Sequence, residues 1–174
     1  MLEGYQTLDL LKDPCYLAEN AAITADCALR IAANNLATIW NGCPALVIGW
    51  GRIGKFLAQQ LKALGADVTV AARKETDRAL IHAMGYQAED TSNLYHQLFQ
   101  YRVLFNTVPA PVLDRKQILN CRPDCIKIDL ASKPGIAGND IIWARGLPGK
   151  DVPESAGLLI AETALRMMAG REIS

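Results

Sequence analysis

"ALVIGWGRIGKFLAQQLKALGADVTVAARK", residues 45–74, decides the fold. An apolar run at 45–50 reads as a buried strand, and 53–64 has helical spacing that Gly65 stops. "DVTVAA" at 67–72 reads as a second strand. Between the first strand and the helix, "GWGRIG" at 49–54 fills the pattern GxGxxG. Such a match is weak alone, but here it closes a strand and opens a helix inside a strand–helix–strand unit. Gly49 permits the tight turn. Gly51 has no side chain, so a pyrophosphate can approach the backbone. Gly54 lets the helix lie close to the strand. Arg52 and Ile53 complete the turn, and the unpaired amides at the helix start favour an anion. The plain alternative is a packing motif that holds no ligand.

Downstream, strand and helix alternate. A helical segment at 75–84 stops at Gly85, and 86–89 is a short third strand. A short helix at 92–100 follows, then a fourth strand at 102–109 ended by Pro109 and Pro111. One or two helical turns at 114–120 lead to a fifth strand at 125–131, and 138–150 holds a sixth. An amphipathic helix runs on from Pro153, a residue suited to a first turn. This alternation implies an α/β, doubly wound, mainly parallel Rossmann sheet of order 3-2-1-4-5-6 with flanking helices. Upstream, 1–12 is short and semi-apolar, and Asp13 and Pro14 make a turn. Residues 20–39 are alanine-rich with helical spacing, capped by Asn20 or Thr24. This helix precedes the first strand and is expected to pack outside the α/β unit as a linker. The chain divides accordingly into 1–41, the N-terminal segment and linker helix, and 42–174, the dinucleotide-binding domain.

The nucleotide is read at the end of the second strand. An NAD site places an acid there, about twenty residues after the glycines, to bond the ribose hydroxyl. This chain has Ala71, Ala72, Arg73 and Lys74 instead. Arg73 is placed to pair with a 2′-phosphate and Lys74 adds charge, which favours NADP over NAD. The plain alternative is a solvated basic loop. Beyond the carboxyl ends of the other strands lie "NTVPAP" (106–111), "DLASKPG" (129–135) and "GLPGK" (146–150). Asn106, Thr107 and Val108 are expected at the cofactor, with Pro109 holding their loop rigid. Asp129 either orients neighbouring backbone or contacts substrate, and Lys150 is the cation expected for a carboxylated substrate.

Other chemistries lack their residues. Eighteen basic residues balance eighteen acidic ones among 174, which gives no reason to expect nucleic acid or an anionic membrane as partner. No apolar run approaches the ~20 residues of a membrane span, and the start has no secretory-signal pattern. Cys15, Cys27, Cys43, Cys121 and Cys125 are odd in number and irregular in spacing, which reads as reduced thiols of a cytoplasmic protein with no metal site. His82 and His96 fall in helical segments away from the crevice. Ser155 has no histidine to activate it, so hydrolysis fits poorly. Hydride transfer fits better, because a nicotinamide carries the hard chemistry and the protein positions it.

Taken together, "VIGWGRIGKFLAQQLKALGADVTVAARK", "NTVPAPVL", "IDLASKPG" and "GLPGKDVPESAG" resemble the A-subunit family of dipicolinate synthase, and "ENAAITAD" resembles its linker helix. The resemblance runs from about Asn20 to the last helix. It implies oxidation of a dihydro- or hydroxytetrahydrodipicolinate precursor to dipicolinate, the calcium-chelating acid of bacterial spores, with hydride passing to NADP. It also implies a dicarboxylate substrate, a partner in the form of a flavoprotein-like B subunit, and another α/β lobe ahead of the linker helix. A cofactor lobe alone is then expected to bind nucleotide and to be inactive without that lobe. "GIAG" at 135–138 stands where the family has a glycine pair, and the segment to "GLPGK" is short. Two other readings stay open on the residues alone. One is the cofactor lobe of a different two-domain dehydrogenase, acting on methylenetetrahydrofolate, shikimate or a 2-hydroxyacid. The other is a non-catalytic nucleotide sensor. The apolar residues of the last helix, Leu158, Leu159, Ile160, Leu165, Met167 and Met168, suit packing on the linker helix or on a second copy in a homodimer.

Overall fold

The apolar run after the first loop becomes the central strand. In the computed structural model, which describes residues 7–169, β1 (Pro44–Ile48) lies between β2 (Asp67–Ala71) and β4 (Val103–Asn106). The sheet extends through β3 (Gln87–Glu89) on one side and through β5 (Ile126–Asp129) and β6 (Ile141–Trp143) on the other. Its order is β3-β2-β1-β4-β5-β6, and all five pairings are parallel. The order expected from the alternation is thus found. Each crossover is right-handed by general rule, so the chain leaves β1 toward β2, then returns across it to β4. The reversal point lies between β1 and β4, where the carboxyl ends splay and a ligand crevice opens.

Burial on both faces explains the continuous apolar run of β1. Ala45 and Val47 join one core cluster, with Ala25, Ala28, Leu57 and Leu61 of the helices α1 (Pro14–Asn35) and α2 (Arg52–Ala63). Leu46 and Ile48 join the other, with Leu94, Leu98, Tyr101 and Ile118. Those partners come from two 3-10 turns at Thr91–His96 and Leu98–Gln100, from Tyr101 directly after the second, and from the one-turn helix α4 (Arg115–Ile118). The segment expected as a helix at 92–100 is therefore a pair of tight turns. Asp90 starts the first, its carboxylate accepting the Ser92 N–H at 2.9 Å.

Four further differences from the sequence expectations concern helices. The Asp13–Pro14 pair does not make a free turn: Asp13 caps α1, its Oδ1 accepting the Tyr16 N–H at 2.7 Å, and Pro14 takes the first helical position. Thr24, expected as a cap, lies inside α1 and donates its hydroxyl to the Asn20 carbonyl at 2.7 Å. The helix does not stand outside the α/β unit. Ala21, Ala25, Ala28 and Ala32, four or three residues apart, are buried and small enough to bring α1 close to its neighbours, and the last three join the core cluster of β1 and α2. Arg166 of α6 (Pro153–Ala169) donates to Asp13 at 2.9 Å and so ties the two ends of the described chain together. Finally, "LPGKD", expected as crevice loop, winds into the short helix α5 (Leu147–Asp151). Gly146 starts it in the left-handed region at φ 63°. α3 (Glu75–Ala83) and α2 end as expected, with Gly85 and Gly65 at φ 76° and 82°.

Candidate nucleotide-binding site

The three glycines of the turn serve different constraints. Gly49 sits at φ 107°, donates its N–H to the Ala71 carbonyl at 2.9 Å, and faces Thr107 so closely that any Cβ would collide with the threonine hydroxyl. A Cβ at Gly54 would run into the Gly49 carbonyl, so this glycine lets α2 begin against the turn. Gly51 is different. Its backbone is extended, φ −80° and ψ −172°, and a Cβ there would meet nothing within 4 Å. Neither conformation nor packing asks for glycine at 51. Open space over the N-cap of a 12-residue helix that has no side-chain cap does ask for it, if an anionic group is to reach the first-turn amides. The residues present therefore fit a pyrophosphate.

The crevice continues on both sides of this turn. A cavity of about 600 Å³ toward β2 and β3 is lined by Gly49, Ala72, Arg73, Lys74, Asp90 and Val108. A second, about 520 Å³, has Gly51, Arg52, Ile53, Lys55 and Thr107 in its walls. Trp50 lines both, so they adjoin at its ring. Its ring meets Tyr86 edge-on at 6.1 Å and carries Lys55 at 5.6 Å, while the buried indole Nε1 has no hydrogen-bond partner among the described residues. A third cavity, about 510 Å³, opens toward the ends of β5 and β6 and shares Asn20 and Ile53 with the second. The three make one trench across the carboxyl ends of the sheet.

Arg73 stands exposed on the rim of the first cavity, and its side chain makes no hydrogen bond or ion pair among the described residues. Its backbone is held instead. Arg78 Nη1 donates to the carbonyls of Ala72 and Arg73 at 3.0 and 2.7 Å and pairs with Asp90 at 2.7 Å. Asp90 in turn accepts from the Ser92 N–H and hydroxyl; those bonds, and then the Arg78 charge, hold its carboxyl below the usual carboxylate value. Lys74 precedes the first turn of α3 and lines the same cavity.

The fold that carries this trench is shared with proteins of known structure. No family model matches the chain. The dipicolinate synthase A subunit of Bacillus subtilis (strain 168) is 29 % identical to it over 160 residues, which are 86 % of this chain and 53 % of that protein. The similarity is to the dipicolinate synthase A subunit. Two solved structures of such subunits superpose on it. The one from Bacillus halodurans has a TM-score of 0.86 at 29 % identity, over 93 % of this chain and 58 % of its own. The one from B. subtilis has 0.88 at 27 % identity, over 95 % and 58 %. The chain thus spans little more than half the length of these relatives.

The remaining residues singled out in the sequence divide into two groups. Thr107 lines the trench, and its hydroxyl donates to the Ile48 carbonyl at 3.0 Å, leaving oxygen lone pairs free. Val108 lines it on the other side. Asn106 is fully buried: its amide donates to Asp129 at 2.9 Å and to the Val108 carbonyl at 3.1 Å, while its oxygen accepts the Val108 N–H at 3.0 Å. Asp129, equally buried, accepts from Asn106, Ala131, Gly135 and Ile136 at 2.7–3.1 Å. Of the two roles open to Asp129, its contacts fit the orienting of backbone. Together Asn106 and Asp129 pin the two loops that wall the crevice. Pro109 is exposed and lies outside the three cavities, as does Lys150 near the end of α5. His82 is exposed on α3, and His96 packs edge-on to Tyr95. Cys121 and Cys125 are free thiols, the Cys125 Sγ lying 3.8 Å from the Ile126 carbonyl; their mutual interaction holds Cys121 below the ordinary thiol value and, with burial, pushes Cys125 above it. No group of three or more His, Cys, Asp or Glu is arranged for a metal ion, and no helix is long and apolar enough to cross a membrane, both among the described residues.

Sequence reasoning missed Trp50, the Arg78–Asp90 clamp and Arg145. Arg78 reads as an ordinary α3 surface residue, and only the pairing of β2 with β3 brings Asp90 to it. Arg145 lies two residues beyond β6, five positions before the lysine the sequence made more conspicuous.

Proposed function

We propose that this chain is the NADP-binding lobe of a dipicolinate synthase A subunit. With the remaining lobe of such a subunit, it oxidises a dihydro- or hydroxytetrahydrodipicolinate precursor to dipicolinate during sporulation. The observation that carries the nucleotide part is the pairing of an open Gly51 with an unpartnered Arg73 on one trench. The synthase part rests on the similarity to the A subunits of known dipicolinate synthases.

Bound there, NADP supplies a hydride acceptor. Gly49, Gly51, Arg52, Ile53 and Gly54 hold its pyrophosphate at the start of α2. Arg73, with Lys74, pairs with the 2′-phosphate. Thr107 and Val108 wall the crevice, while Asn106 and Asp129 fix the loops. A hydroxytetrahydro precursor first loses water; the dihydro ring then loses a hydride and a proton and becomes aromatic. Aromatisation drives the step, so it needs orientation more than a strong base.

A soluble cytoplasmic protein, a second copy of this chain and a flavoprotein-like B subunit belong to the same proposal. Sedimentation of the chain, by itself and mixed with the B subunit, tests the last two. Turnover by the chain alone is expected to be weak or absent, because it supplies one wall of the substrate crevice. The test is NADPH formation from NADP on a freshly generated dihydrodipicolinate supply, by the chain alone and with the remaining lobe of a relative added in trans. NADPH and dipicolinate formed in equal amounts support the assignment. Nucleotide binding without dipicolinate in either arrangement contradicts the synthase part.

A further inference from the structure

We infer that Arg145, rather than Lys150, is the residue that binds a carboxylate of the substrate, in the cavity at the β5–β6 end of the trench. The inference deepens the proposal above and rests on it for the identity of the substrate. Four observations carry it. The cavity of about 510 Å³ shares Asn20 and Ile53 with the cavity at the glycine turn and no wall with the one at Arg73, so it lies on the far side of the turn from Arg73. In a sheet of this order a dinucleotide crosses the reversal point, with its adenosine half over β1–β2 and its reactive half toward β4–β5. The reacting ring and its substrate therefore fall at the Arg145 end. Arg145 is the one cation among that cavity's walls, whose polar members include Ser132, Asn20 and Thr24. Its guanidinium makes no ion pair with an acid among the described residues; it lies over the Trp143 ring at 5.1 Å.

That stacking matters. A guanidinium laid on an aromatic face keeps its donor edges free and loses little rotamer freedom when it binds, which suits two-pronged recognition of a carboxylate. Trp143 is itself anchored, its Nε1 donating to the Ala131 carbonyl at 3.1 Å. The platform is thus fixed to the loop that Asp129 holds, directly after β5. Lys150 is exposed near the end of α5, outside this cavity.

The test is calorimetric titration of dipicolinate, picolinate and uncharged pyridine onto the NADP-saturated chain. It uses wild type, Arg145→Ala, Arg145→Lys and Lys150→Ala, with NADPH affinity measured in parallel. Arg145→Ala is expected to weaken dipicolinate at least about tenfold, the loss of one charge-assisted pair. Arg145→Lys should recover part of the loss, Lys150→Ala should bind as wild type, and NADPH should bind all four alike. Arg145-dependent binding of picolinate but not of dipicolinate keeps the carboxylate site and removes dipicolinate as the ligand, so the two readings fail separately. Wild-type dipicolinate affinity in Arg145→Ala, equal losses for pyridine, or no carboxylate binding by wild type overturns the inference.

Discussion

Gly51 and Gly54 stand three residues apart in one motif, yet the structure predicts opposite outcomes when each becomes alanine. At Gly54 the new methyl meets the Gly49 carbonyl, so Gly54→Ala is expected to destabilise the fold by about 1–3 kcal/mol, read by urea denaturation. At Gly51 the methyl meets nothing, so Gly51→Ala should keep the wild-type midpoint while weakening NADPH at least about tenfold. If both variants lose stability equally, the turn is a packing device. Asp129 gives the complementary case. Asp129→Ala strands the Asn106 amide and three backbone N–H groups in the core, at a cost of about 3 kcal/mol or more. That loss should appear in the denaturation midpoint whether or not nucleotide is present, as expected of a residue that organises loops.

Among the elements, the loop between β2 and α3 carries the specificity that the proposal assigns, and Arg78 and Asp90 hold it. Asp90 has its folded pKa below the ordinary 3.8, because Ser92 and then Arg78 favour the carboxylate. Its contribution is therefore full above the unfolded value and is lost as pH falls through the folded one. The wild-type denaturation midpoint should fall more steeply than that of Asp90→Asn as pH drops below about 4. Equal slopes would mean that the clamp carries no proton linkage. Asp13 follows the same sign: the Tyr16 N–H, and after it Arg166, hold its carboxyl below 3.8, so the α1 cap weakens in the same acid window. Most elements were legible from local signals, because GxGxxG, the apolar runs and the stopping glycines act over a few residues. What stayed hidden depends on distant partners. The cap of α1 was missed because Asp13–Pro14 has the chemistry of a turn and of a helix start alike. The 92–100 segment has the apolar spacing of a helix, but Leu94 and Leu98 serve two 3-10 turns equally well.

At the scale of the whole molecule, one trench carries the three features on which the proposals rest: a basic rim at Arg73, an open helix start at Gly51 and a guanidinium over Trp143 at Arg145. The sheet order sets this sequence of sites, and the alternation of strands and helices made that order legible before any side chain was placed. The side chains were less so. Asn106 and Lys150 looked suited to ligands because strand ends and glycine-rich loops normally carry them, but one is spent on a buried network and the other lies outside the cavities. The central claim is that the trench selects NADP through Arg73. Calorimetric titration of NADPH and NADH onto wild type and Arg73→Ala tests it most directly. The account predicts that wild type prefers NADPH and that Arg73→Ala loses about tenfold to a hundredfold in NADPH affinity with NADH little changed. Equal binding of the two nucleotides by wild type, or an unchanged preference in Arg73→Ala, would contradict it.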